Sequence, residues 1–319
     1  MGGLPEPRYL EPATAVDVTD VVIQNRHLLR PSDELNDLVL GVFGRAQRLY
    51  DMRLCAISVL STHWHLIPVP EDAEHLAQFM GYAKTNISKE VGRLHDWKGP
   101  MFAHRYHLIP IAPFEEQAQI ARLKYVLAAG VKEFLVDRVT DWPGIHSATA
   151  LVEGKPLIGH WYDRTKEYAA RKLRGEDDVD PMAFATEEQL VLSPLPCWEH
   201  LPEAEWRRNV ADLITEIEDE GAQERQRERK VSLGVKKIMR VRPHKRPRKV
   251  EKSPKPRFHA IADWARQRML EAYTAVVVAY LIASERFKAG DLLTDFPEGT
   301  FPPRLPFVPF SVRCRGQPA

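Results

Sequence analysis

Cysteine is scarce in this chain: Cys55, Cys197 and Cys314 are odd in number, far apart and without paired spacing. That argues against a disulfide framework or a cysteine zinc cluster and fits a reducing, cytoplasmic setting. Long apolar runs are missing as well. The longest, residues 275–283, falls far short of the roughly 20 residues a membrane span requires, and it reads as a buried helix. No basic stretch followed by an apolar one opens the sequence, so no signal peptide is expected. Overall charge is nearly absent, at +1 in 319 residues, but it is unevenly spread. From Glu224 to Arg257 fifteen Lys or Arg stand against three Glu, a net of +12, so the remainder of the chain carries −11. The 44% apolar content is enough for sizeable cores.

Periodicity supplies the elements. Residues 16–23 alternate and are β-branched, as in a strand. Ser32 is a natural N-cap, followed by Asp33 and Glu34 and by Leu35, Leu38, Val39, Val42, Ala46 and Leu49 at helical spacing. Residues 54–60 and 63–69 read as strands joined through Ser61 and Thr62. A second helix is marked by Leu76, Phe79, Met80, Ala83, Ile87, Val91 and Leu94, then a strand over 102–111 and a third helix over 114–136. The order β-α-β-β-α-β-α predicts an α+β protein built on a ferredoxin-like split βαβ antiparallel sheet with helices on one face, plus a mostly helical C-terminal region.

Two features carry chemistry. His63-Trp64-His65 lies on a predicted strand, where period two sends both imidazoles to one face within reach of one divalent cation. Two partly buried polar residues on a sheet face are the alternative. In the third helix Ile120, Leu123, Leu127, Val131 and Phe134 form an apolar stripe, and Tyr125 falls nearly opposite it, beside Arg122, Ala129 and Lys132. The plain alternative is a surface tyrosine on a basic face. His104 and His107, three apart on a predicted strand, face opposite ways, which argues against both joining one metal.

Further on, residues 175–181 read as an acidic loop and 203–224 as a helix. Prolines interrupt the basic run that follows, so Lys236, Lys237, Arg240, Arg242, Lys245, Arg246, Arg248 and Lys249 are read as a flexible, phosphate-binding arm. Residues 259–289 form a last helix capped by Gly290, and the proline-rich 296–310 straps the end. Arg105 and Tyr106 suit phosphate contact and base stacking.

The stretches Arg26-His27-Leu28-Leu29-Arg30-Pro31, residues 59–67, residues 102–106, Arg122-Leu123-Lys124-Tyr125-Val126 and Asp141-Trp142-Pro143-Gly144 resemble, in order and spacing, the REP-associated tyrosine transposases, a branch of the single-tyrosine HUH transposases. The resemblance implies a catalytic domain over 1–150, with 151–223 as a linker and helical extension, 224–258 as the basic arm and 259–319 as the C-terminal helix and tail. It implies His63 and His65 as ligands of Mg2+ or Mn2+, and Tyr125 as nucleophile. Arg105, Tyr106, Arg122, Lys132 and the basic arm would contact single-stranded or hairpin DNA, which is nicked and rejoined through a 5′-phosphotyrosine. Monomer and homodimer both stay open. One departure matters: the asparagine or glutamine that family members place four residues after the tyrosine is Ala129 here. A methyl cannot ligate a hard cation, so a hairpin-binding protein with weakened or lost catalysis stands beside the enzyme.

Overall fold

The computed structural model describes residues 9–102, 104–175, 179–247 and 256–303. The protein is α+β. Strands β1 (Val16–Val21), β2 (Arg53–Leu60), β3 (His63–Val69) and β4 (His107–Pro110) form one antiparallel sheet in the order β2-β3-β1-β4, the split βαβ arrangement. Helix α1 (Asp33–Tyr50) starts where its cap predicts, the Ser32 hydroxyl accepting from the Leu35 N–H at 3.2 Å. Helix α2 spans Ala73–Leu94.

Both helices lie on one face, over Val16, Val18, Ile57, Val59, Trp64 and Leu66. Trp64 is fully buried, edge-on to Phe43 at 5.5 Å. The opposite face is covered too. There Ala56, Leu60 and Ile67 meet Leu123, Val126 and Leu127 of α3 (Glu116–Leu127) and Trp206, Val210 and Ile217 of a long helix from the C-terminal region. The histidine side of β3 is therefore enclosed rather than open to solvent.

Several boundaries differ from expectation for visible reasons. The strand expected over 102–111 pairs with β1 only from His107. Val22 bridges to Phe102, not to His104 as an unbroken register would have it, so residues are looped out of the ladder between them. The third helix stops at Leu127 rather than reaching 136, because Gly130 takes φ +93° and the chain reverses. Leu49 is exposed rather than in the core.

Residues 151–223 form more than a linker. After α4 (Ala148–Glu153), β5 (Leu157–Tyr162) and β6 (Ala185–Leu190) pair as a hairpin-like sheet with α5 (Arg164–Arg174) between them, and the sheet packs on α1. Gly41 makes this approach possible, since a Cβ there would sit 2.0 Å from the His160 carbonyl oxygen. The sequence hides β6, whose Glu188 is buried against Arg45 and Arg48.

Helix α6 (Glu203–Glu228) runs four residues past its expected end, α7 (Val235–Arg240) follows, and α8 spans Asp263–Lys288. Phe296 packs on Tyr280 and Phe287, each at 5.6 Å; the proline-rich end from residue 304 on, with Cys314, lies outside the described residues, as does part of the acidic loop. Cys55 and Cys197 are free thiols. Among the described residues no helix is long and apolar enough to cross a membrane.

Candidate active site

Alternation along β3 decides where the histidines point. Trp64 and Leu66 enter the core under α1 and α2, so His63 and His65 project toward α3 with ring centroids 5.0 Å apart. Each ring has one nitrogen engaged by a threonine: His63 Nδ1 lies 2.9 Å from Thr62 Oγ1 and His65 Nδ1 lies 3.0 Å from Thr19 Oγ1. With both Nδ1 atoms occupied, Nε2 of each ring is the nitrogen left for a cation, and two imidazoles suit a divalent ion. Burial, with His65 and Lys132 nearby, pushes the His63 pKa down to about 3, so its ring is neutral at physiological pH. Among the described residues no cluster of three or more His, Cys, Asp or Glu is arranged to hold a metal.

Helix α3 brings Tyr125 to the same place. Its ring is edge-on to His65 at 5.5 Å and 40% exposed. The Arg122 guanidinium lies 4.3 Å from the ring centroid and the Lys132 ammonium 3.2 Å from it. Arg122, one turn back on α3, is held by Asp17 of β1, whose Oδ2 accepts from Nε at 2.6 Å. Burial alone would raise the Asp17 carboxyl, but His65 and Arg122 outweigh it and hold it below the usual carboxylate range. Arg122 is therefore committed to an ion pair and is not free to take a phosphate. Lys132 arrives by a different route from the expected helical spacing. The chain turns at Gly130, whose N–H is capped by Glu133 at 2.6 Å, and Lys132 folds back over the ring.

Ala129 does not lie one helical turn beyond the tyrosine on a continuing helix. It sits past the end of α3, 0% exposed, its N–H on the Val126 carbonyl and its methyl in the core with Val126 and Leu127.

No protein family and no curated protein matches the chain. Solved structures align with part of it. The REP-associated tyrosine transposase bound to a REP hairpin aligns at 18% identity and TM-score 0.40, covering 48% of this chain and 86% of that one. A protein from Deinococcus radiodurans R1 that carries the name transposase aligns at 14% identity and TM-score 0.27, covering 40% of this chain and 92% of that one. Both alignments span less than half of this chain.

The remaining sequence-selected residues divide. Arg105 is exposed in the loop before β4, and Tyr106 packs against the core under α2, across the sheet from the histidines, with Lys84 5.7 Å from its ring. The basic segment is not a free arm over its described part. Arg30 donates to the Met239 carbonyl and Arg26 to the His244 carbonyl, the His27 N–H donates to the Lys245 carbonyl at 3.2 Å, and His244 Nε2 donates to the His95 carbonyl at 2.7 Å. These bonds lay the segment along residues 26–30, which themselves join the turn leading into β3 through Leu29 N–H and the Ser61 carbonyl, 3.0 Å apart. Lys236, Lys237, Arg240, Arg242, Lys245 and Arg246 remain exposed there, while Arg248 and Lys249 lie outside the described residues.

Asp17, Thr19 and Thr62 are site residues that sequence reasoning missed. The signal was present in Val16-Asp17-Val18-Thr19: polar Asp17 and Thr19 alternate with Val16 and Val18, which face the core. Alternation of that kind is ordinarily read as solvent exposure, and here the polar face is the buried site.

Proposed function

We propose that this protein is a metal-dependent DNA strand transferase that nicks and rejoins single-stranded hairpin DNA through Tyr125. The observation that supports this reading best is the convergence on one spot of a tyrosine, two histidines with matching free nitrogens, and a lysine. Mg2+ or Mn2+ bound by His63 and His65 would draw charge from a non-bridging phosphate oxygen.

The chain's own residues do the rest. Tyr125 loses its proton and its oxygen attacks phosphorus, the P–O3′ bond breaks, and the departing 3′ oxygen takes up a proton. The products are a 5′-phosphotyrosine and a 3′ hydroxyl, and rejoining reverses the roles. Lys132 and Arg122, flanking the ring, favour the negative charge that develops at the phenol oxygen. Exposed cations of the docked segment hold the backbone of the DNA beside the turn that leads into β3.

The test is incubation of end-labelled single-stranded hairpin DNA from the gene's flanks with manganese or magnesium, comparing the parent with Tyr125→Phe. A covalent adduct from the parent that vanishes in the variant is expected. Ala129 and the absence of a third acidic or histidine ligand among the described residues favour a second reading, a hairpin-binding protein that has lost catalysis. Binding without any adduct, in either metal, selects that reading. Cleavage without an adduct selects a phosphodiesterase that uses water.

A further inference from the structure

Beneath the site lies a carboxylate that packing does not explain. Asp17 is 0% exposed, on the same sheet face as His65. One of its oxygens, Oδ2, serves Arg122; the other, Oδ1, lies 3.6 Å from His65 Nδ1 and makes no hydrogen bond of its own. Neutralising Arg122 needs only one of these contacts. A buried charge is costly, and its second oxygen is aimed at a candidate ligand.

The neighbours of His65 Nδ1 differ in what they can specify. Thr19 Oγ1 at 3.0 Å is a hydroxyl, able to donate or accept, so by itself it leaves the imidazole tautomer open. A carboxylate only accepts. With Asp17 behind it, Nδ1 is the nitrogen that carries the proton and Nε2 the one left with a lone pair, in a ring whose centroid lies 5.5 Å from that of Tyr125. Through Oδ2 the same carboxylate fixes the guanidinium that lies against the Tyr125 ring.

We propose that Asp17 is a positioning residue that joins the two halves of the site, setting the tautomer of His65 through one oxygen and the placement of Arg122 on Tyr125 through the other. This rests on the phosphotyrosine reading for its catalytic meaning, but not for its test. In this proposal Asp17 acts through His65 and Arg122, the two side chains it contacts.

The experiment uses the full chain and the near-isosteric Asp17→Asn, whose amide can donate to His65 as well as accept. Three readouts are taken: nitrogen NMR of the His65 ring, manganese affinity without DNA, and kcat and KM for adduct formation. Expected are a shift of the proton from Nδ1 toward Nε2, manganese affinity lowered about tenfold or more, and kcat lowered about as much with KM for DNA within about twofold. A second variant, Asp17→Asn with Arg122→Gln, removes the unpaired buried cation. If that double variant regained the parent's manganese affinity and tautomer, Asp17 would be a mere counter-charge and the proposal overturned. An unchanged tautomer and unchanged affinity in Asp17→Asn overturn it too. A parent that forms no adduct sinks the phosphotyrosine reading instead, and the NMR and manganese measurements still decide Asp17.

Discussion

The Lys132 ammonium lies 3.2 Å from the centre of the Tyr125 ring, seven residues away along a chain that has already left its helix. Had α3 continued, Lys132 would sit two turns on and point along the helix surface. The reversal at Gly130 makes it a lid on the tyrosine instead.

A cation against an aromatic face is worth about 1–2 kcal/mol when partly desolvated. Lys132→Met is expected to lower the rate of adduct formation by about 5- to 30-fold while leaving hairpin affinity nearly unchanged. Single-turnover assays at saturating DNA measure the first and filter binding the second. A large loss of affinity with an intact rate would reassign Lys132 to DNA backbone contact.

Ala129→Asn would restore the residue type that the resemblance calls for, yet this site is 0% exposed and lined by core side chains. Burying an unpaired amide there, with the overpacking it brings, should cost about 2–4 kcal/mol. Urea denaturation measures the cost, and manganese titration is expected to show no gain. Tighter manganese binding at undiminished stability would mean that the side chain reaches the histidines after all.

His146 gives a pH dependence away from the proposed chemistry. Burial pushes its pKa down to about 4, and the nearby Leu127 backbone opposes this only in part. Because the folded value is depressed, protonation favours the unfolded chain. Its contribution is complete above pH 6.5 and is lost as pH falls from there toward 4. Between pH 7 and 4.5 the parent should lose about 2–3 kcal/mol more than His146→Asn, which keeps an acceptor for the Ala148 N–H. Parallel stability curves for the two proteins would refute this.

The docked basic segment makes a prediction about salt. Replacing Lys236, Lys237 and Arg240 by alanine should flatten the dependence of log affinity on log salt by about 2–3, near one unit per phosphate contact, for any hairpin sequence. Tyr125→Phe should leave that slope alone. A slope unmoved by the triple substitution would remove α7 from the DNA interface.

Much of this was legible beforehand because it follows from period and spacing. The hydrophobic stripes placed α1 and α2, and strand alternation alone put His63 and His65 on one face. What stayed hidden depends on contacts between distant segments. Nothing in Ala185-Thr-Glu-Glu-Gln-Leu190 announces a strand, because its buried Glu188 is made tolerable by two arginines of α1. The break at Gly130 reads locally as a helix with one weak residue. The docking of residues 239–245 on Arg26, His27 and Arg30 is written in backbone carbonyls, which no side-chain pattern reveals.

The bare glycine face of α1 has a practical meaning for anyone trimming this protein. Gly41 and Gly159 let β5 lie against the helix backbone, and Leu190 closes the core beneath. Cutting the chain after residue 150 would not release a self-standing sheet domain. It would strip one wall from the scaffold that keeps β2 and β3 in place, leaving a fragment prone to self-association, whereas appended tags and fusions at the far end leave that wall standing.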